Sequence, residues 1–308
     1  MNMKSKFSIV IPHYNESKRL NRLLVSIPLC RGDLQVIVVD DCSPDQTGLA
    51  QIKQLFPTVT FLSTPNNQGA GAARNIGLQH AIGEFVLFAD ADDEFLEHTF
   101  EYFDEAIMHD ADIYYFFADA RIENTGEHSV RADVFNGLID EYLGAPNKEN
   151  TLHLKLGHCV PWAKLYKNAF IKQTQVLFDE TPVSNDIYFN IINAVHADKI
   201  YAVDKAVYRV YRLTDSLTST LTAERLLCRL QVSAKVATEL NRLGISHSCS
   251  ASGFLAQSLS FGPVVFLKAL LISVRSDLHL NLLRVVNVSR WLRYFKRNNT
   301  TSAEINRK

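Results

Sequence analysis

The chain has 308 residues, of which 47% are apolar, 21% charged and 10% aromatic, enough for a buried core in one large domain or two smaller ones. A net charge of −1 leaves no electrostatic footprint for nucleic acid. The five cysteines (Cys30, Cys42, Cys159, Cys228 and Cys249) are odd in number and scattered, a spacing that fits no zinc site.

The amino-terminal "MNMKSK" shows no signal-peptide pattern and runs straight into "FSIVIP" (7–12), a predicted strand, so a cytoplasmic protein is expected. An amphipathic helix follows at "SKRLNRLLVSI" (17–27), then a strand at "LQVIVVD" (34–40) and a helix at "DQTGLAQIKQLF" (45–56). A third strand, "VTFLST" (59–64), a third helix, "GAGAARNIGLQHAI" (69–82), and a strand at "EFVLFAD" (84–90) complete the first third. Continuous apolar strands suit a sheet covered on both faces. Their alternation with helices predicts a doubly wound α/β sheet, whose ligands gather at the carboxyl ends of the strands. The polar residues cluster at those ends, from His13 to Glu16, Asp40 to Ser43 and Asp90 to Glu94.

The alternation fades after "DIYYFFADARI" (112–122), where "ENTGEHS" reads as a turn between extended segments. "PWAKLYKNAFI" (161–171) is expected to begin a short helix and "NDIYFNIINAV" (185–195) a clearer one; beyond Ala223 the pattern is mostly helical. The expected division is a domain over 1–220, with a nucleotide-binding half (1–120) and an acceptor half (121–220), and a helical extension over 221–308. "FGPVVFLKALLISV" (261–274) is too short for a membrane span and contains Lys268. From Arg275 onward eight basic residues stand against two acidic ones. Within 281–297, Val285, Val288, Leu292 and Phe295 share a helical face flanked by Trp291, with Arg290, Arg293, Lys296 and Arg297 mostly opposite. That pattern fits either a helix on an anionic membrane surface or one docked on the protein with a solvated basic face.

"EFVLFADADDEF" (84–95) crowds Asp90, Asp92, Asp93 and Glu94 at a strand end, where like charges repel unless something positive joins them. In an extended strand Asp90 and Asp92 point to one side and Asp93 to the other. Two such carboxylates can hold Mg²⁺ or Mn²⁺ and leave its other positions to phosphate oxygens and water. Asp93 and Glu94 have a plainer reading, as favourable charges at the start of the next helix. Asp40 and Asp41 end another strand, where a carboxylate can accept the N–H of a nucleobase. "GAGAAR" (69–74) follows the third strand instead of the first, so it is not a dinucleotide fingerprint; it reads as close helix packing with Arg74 reaching the strand ends.

"SIVIPHYNE", "VIVVDDCSPDQT", "NQGAGAARNIGL" and "FADADDEF", in this order, resemble the family-two nucleotide-sugar glycosyltransferases of GT-A fold. "VPWAKLYKNAFI", "NDIYFN" and "YRVYRLTDSLTST" extend the resemblance toward the bacterial surface-polysaccharide branch, over about residues 6–220. The resemblance implies a mixed, mainly parallel GT-A sheet flanked by helices. It also implies an inverting enzyme that uses a nucleoside diphosphate sugar, with uridine the commonest nucleotide, and a saccharide acceptor carried on a lipid at the inner membrane face. Pro12, Tyr14, Glu16 and Asp41 match the family's base and ribose contacts, Asp90 and Ala91 its nucleotide contacts, and Asp92 its ligand to Mn²⁺ or Mg²⁺. Arg74 would add positive charge, and Asp186 matches the base that deprotonates the acceptor. The family's Glu-Asp pair is Asn185-Asp186 here, a departure that bears on acceptor orientation. Cys42 replaces a usual Gly or small polar residue. His158 and Trp162 fall where acceptor contacts are expected, although Trp162 equally fits a core position. Arg209, Arg212 and Ser216 could close over the diphosphate or be surface residues. Rival readings are a non-catalytic nucleotide-binding scaffold, a nicotinamide-dependent oxidoreductase and a transferase to polyprenyl phosphate.

Overall fold

The computed structural model describes residues 5–212 and 221–280, and the chain divides into two compact units, Met1–Ser219 and Thr220–Lys308. The first unit is built on an eight-stranded sheet. Its strands are β1 (Phe7–His13), β2 (Leu34–Asp40), β3 (Thr60–Ser63), β4 (Phe85–Phe88), β5 (Glu94–Phe95), β6 (Ile113–Ile122), β7 (Lys164–Lys167) and β8 (Ile200–Arg212), in the order β3-β2-β1-β4-β7-β6-β8-β5. The β3-β2-β1-β4 block is parallel, as is the β6-β8 pair, while β7 runs antiparallel to both neighbours and β5 antiparallel to β8. This is the mixed, mainly parallel sheet of a GT-A fold.

Alternate residues of the continuous apolar strands feed two separate cores. Ile9, Ile11, Val36, Val38 and Leu87 pack into one, and Val10, Ile37, Val39, Val86 and Phe88 into the other. Helix α1 (Ser17–Val25) puts Leu20, Leu23 and Leu24 into the first core. Helix α2 (Gln46–Leu55) adds Leu49 and Ile52 there, and Asp45 caps it by accepting the Gly48 amide. Helix α3 (Ala70–His80) supplies Ala73 and Leu78 to the second core, and α4 (Thr99–Ala106) adds Phe100 and Phe103 to the first.

Two helices stand where no element is expected, α5 (Asp133–Gly144) and α6 (Lys148–Gly157). The helix expected to begin at Pro161 starts only at Asn168, as α7 (Asn168–Thr174), because residues 164–167 are β7. Leu165 and Tyr166 are both fully buried, as in any central strand covered on both faces, and two adjacent buried residues hide the period of two. Helix α8 (Ile187–His196) follows Asp186.

The second unit contains α9 (Ala223–Arg242), α10 (Ser252–Ser258) and α11 (Pro263–Val274), packed around Leu230, Ala237, Leu255 and Ala269. No helix among the described residues is long and apolar enough to cross a membrane. The basic segment 281–297 lies outside the described residues.

Candidate active site

Because β2, β1 and β4 are adjacent and parallel, their carboxyl ends open on the same edge of the sheet. They frame a cleft of about 420 Å³ lined by Pro12, Tyr14, Glu16, Asp41, Arg74, Asp90, Ala91 and Asp92, together with His13 and Ala70. Residues 80 positions apart in sequence thus meet in one cavity.

Asp41 is buried, and its carboxylate organises the loop into α3. One oxygen accepts the Thr64 hydroxyl (2.8 Å) and the Gln68 amide (2.9 Å), and the other accepts the Gly69 amide (2.7 Å). A carboxylate has about four acceptor positions, so one stays open to a ligand's N–H. Asp40 instead holds the turn after β2, accepting the Ser43 amide (3.1 Å) and the Ser43 hydroxyl. Ser43 Oγ in turn accepts the Asn15 amide (2.7 Å), joining the β1 and β2 loops. Cys42 is exposed in the left-handed region (φ +60°), where glycine costs least. His13 is 1% exposed, neither ring nitrogen has a partner among the described residues, and burial lowers its pKa against the opposing pull of Asp40.

Arg74 is buried and bridges two segments. Its guanidinium donates to Asp90 (2.5 Å) and to the side-chain oxygen of Asn185 (2.8 Å). The Asp90 amide donates to the Tyr208 hydroxyl (2.8 Å). Asp92 has no ion pair among the described residues, and burial followed by the nearby charge of Asp90 pushes its pKa up to about 6. The positive partner anticipated for the acidic run therefore pairs with Asp90, while Asp92 feels Arg19 and Arg131 without an ion pair to either.

Asp93 and Glu94 do not serve a helix start. The next helix begins at Thr99, five residues beyond Glu94. Asp93 is buried and accepts the Tyr211 amide (2.9 Å), and burial raises its pKa well above the carboxylate range. Glu94 pairs with Arg209 (2.8 Å), which also pairs with Asp119 (2.8 Å). Arg209, on β8, is thus committed to carboxylates of β5 and β6 and unavailable to a diphosphate in this arrangement. Arg212 is exposed, and Ser216 lies outside the described residues.

Asp186 is the residue before α8, yet its side chain makes no capping hydrogen bond. Burial raises its pKa, while Arg74 pulls in the opposite direction. A carboxylate at a helix start that does not cap it is free for another partner. Asn185, beside it, faces Arg74, so its amide oxygen keeps an acceptor toward the guanidinium without adding charge.

His158 and Trp162 are each 1% exposed. His158 packs among Tyr115, Phe135 and Trp162, and Trp162 stacks on Tyr208 with centroids 6.2 Å apart. Neither has a face open to a sugar, so the expected acceptor contacts give way to an aromatic core. Sequence patterns did not single out Lys164, Asn190 or Tyr208, all fully buried next to the site; a lysine in the apolar "PWAKLY" was the available signal.

The profile of Glycosyl transferase family 2 matches residues 8–174, more than half of the chain. The chain belongs to this family. Among its family-2 relatives is the Staphylococcus aureus poly(ribitol-phosphate) beta-N-acetylglucosaminyltransferase TarS, 30% identical over 217 residues, or 66% of this chain and 35% of that protein. The minor teichoic acid biosynthesis protein GgaB of Bacillus subtilis is 35% identical over 198 residues, covering 58% and 20% of the two chains. A crystal structure of S. aureus TarS residues 1–349 with UDP superposes with a TM-score of 0.58 at 26% identity, covering 76% of this chain and 65% of that one. The chain spans about a third or less of the length of these two curated relatives.

Proposed function

We propose that the cleft binds a nucleoside diphosphate sugar, with UDP the favoured nucleotide, and that the enzyme transfers the sugar with inversion to a saccharide hydroxyl. The observation that carries this reading is the convergence of Asp41, Arg74, Asp90 and Asp92 on one cleft, with Asp186 held nearby and uncapped. The relatives' printed activities, poly(ribitol-phosphate) N-acetylglucosaminyl transfer and teichoic acid synthesis, favour a surface polysaccharide as the product. The UDP complex of TarS favours uridine.

The roles rest on the family resemblance, which the lining of the cleft supports. Asp41 offers its remaining acceptor position to the base N–H, beside Pro12 and Tyr14, while Glu16 at the rim and Asp90 serve the ribose. Arg74 supplies fixed positive charge at the donor. Asp92 suits Mn²⁺ or Mg²⁺: it lies in the cleft, lacks an ion-pair partner among the described residues and feels the like charge of Asp90. No group of three or more His, Cys, Asp or Glu side chains forms a metal site among the described residues, so phosphate oxygens and water would complete the shell. A bound cation supplies Lewis-acid stabilisation of the departing diphosphate. Asp186 accepts the proton of the attacking hydroxyl, and its raised pKa brings it closer to the range where a general base works well.

The acceptor is proposed to be lipid-linked. The basic stretch after Arg275 and the exposed apolar side chains Val264, Leu267, Leu271 and Val274 on α11 both suit peripheral attachment to an anionic membrane surface on the cytoplasmic side. The intact acids disfavour the scaffold reading. The position of "GAGAAR" after β3, with Arg74 turned to Asp90, disfavours the nicotinamide one.

Activity is tested by screening UDP-sugars, including UDP-N-acetylglucosamine, for UDP release with poly(ribitol phosphate) as acceptor. A positioned base is worth ~10²–10⁴ in rate, so Asp186→Asn should lose transfer on that order while UDP affinity stays nearly constant. Near-normal turnover in this variant would move the base role elsewhere or favour polyprenyl phosphate, whose nucleophile arrives ionised.

A further inference from the structure

A lysine buried to 2% exposure lies behind α8, and the donor site does not account for it. Lys164 Nζ donates to the His158 carbonyl (2.5 Å) and to Asn190 Oδ1 (3.1 Å), and it sits 5.0 Å from the centroid of the Tyr115 ring. Asn190 Oδ1 also accepts the Tyr166 hydroxyl (2.6 Å). Asn190 Nδ2 then donates to the Asp186 carbonyl (2.8 Å), beside the ordinary helical bond from the Asn190 amide to the same oxygen (3.0 Å). The bonds run from β7, through Asn190, to the backbone of Asp186.

A buried ammonium is costly, and an apolar side chain of similar size would fill the space without that cost. The cation has a reason to be there only if something nearby uses its charge or its bonds. No carboxylate forms an ion pair with Lys164 among the described residues, and the acid that acts on it electrostatically is Asp186. Resting on the reading of Asp186 as the base, we propose that Lys164 is its positioning residue: it fixes the first turn of α8 through Asn190 and places positive charge behind the Asp186 carboxylate.

The charges facing Asp186 can be named. Arg74 on α3 and Lys164 on β7 favour its ionised form, and Asp90 after β4 disfavours it. The thiol of Cys159 and the phenol of Tyr166 also feel Asp186. Around Lys164 stand Asp186 and Cys159, with the neutral ring of buried His158 beside them. Burial brings the Lys164 ammonium down to about 7, so its support is complete below neutral pH and fades above it. Removing that charge makes Asp186 hold its proton to higher pH.

The test follows the Asp186 carboxyl by NMR in the full chain labelled with ¹³C-aspartate, from pH 4 to 9, its signal assigned by its loss in Asp186→Asn. Lys164→Met is close in size and removes the buried charge, and its melting curve checks that it folds. The Asp186 midpoint should rise by roughly half a pH unit or more in Lys164→Met. Asn190→Ala keeps the charge and breaks the tether, so the midpoint should stay within a few tenths while transfer from UDP-N-acetylglucosamine falls ~10-fold or more. An Asp186 midpoint unmoved in folded Lys164→Met would overturn the proposal, and so would normal transfer in Asn190→Ala. The base reading fails separately, through undiminished transfer in Asp186→Asn.

Discussion

Asp92 holds its proton up to about pH 6 in the native state, against an ordinary value of 3.8. Between those values the folded protein binds more protons than the unfolded one, so stability falls as pH rises through this window and the full cost remains at neutral pH. Without divalent ions, Asp92→Asn should therefore match wild type near pH 4 and melt a few degrees higher at pH 7.5, since about 1 kcal/mol moves Tm by ~2–4 °C in a domain of this size. A difference independent of pH, or a variant less stable at pH 7.5, would show that the cluster is compensated by other means. Asp41, Asp90 and Asp92 were legible in the sequence because they stand at the ends of apolar strands, whereas Asp186, at the start of α8, was legible only through the family resemblance. What they bind was less so. Asp93 reads as a helix-start charge until the Tyr211 amide, 118 residues away, is seen to hold it. Trp162 and His158 show the reverse failure: burial in an aromatic cluster leaves no mark in local sequence.

Helix α3 is where one short segment meets both sides of the site. Gly69 begins it with φ +87°, a conformation that suits glycine. A Cβ on Gly71 would lie 2.0 Å from the Asp179 carbonyl oxygen and 3.2 Å from Asn185 Cβ. The side chain of Asn75 pairs with the backbone of Phe178 in both directions (3.0 and 2.9 Å). The helix thus docks the segment that carries Asn185 and Asp186. Gly71→Ala should push that segment away, costing on the order of 1–3 kcal/mol, as overpacking does, and reducing transfer more than UDP binding. Wild-type stability in this variant would contradict the close approach. Small residues and Arg74 were readable as packing from "GAGAAR"; β7 was not, because adjacent buried residues in a doubly covered strand look like a helix core. Helix α6 carries little periodicity to read, whereas α5 repeats an apolar pair every four residues (Val134-Phe135, Leu138-Ile139, Tyr142-Leu143), a helical signal that was available in the sequence.

At the scale of the molecule, the α/β architecture was legible because strand–helix alternation persists through the first hundred residues, while the β6-β8 pairing joins positions about 90 apart and has no local signature. The acidic body and basic carboxyl-terminal stretch predict that the intact protein binds vesicles of anionic lipid at low salt, each basic residue near the surface contributing ~1 kcal/mol. Deleting residues 281–308 should weaken that binding and leave UDP affinity unchanged; vesicles ignored by the intact chain would remove the membrane from the account. The central claim is that the acids at 90 and 92 serve a diphosphate and a cation together. It is tested most directly by the melting temperature of the protein with UDP, in Mn²⁺ or Mg²⁺ and then in EDTA, because a ligand of the native state raises it. UDP should stabilise wild type only with the divalent ion present, and Asp92→Asn should lose the metal-dependent part. A UDP shift of the same size in EDTA would contradict it.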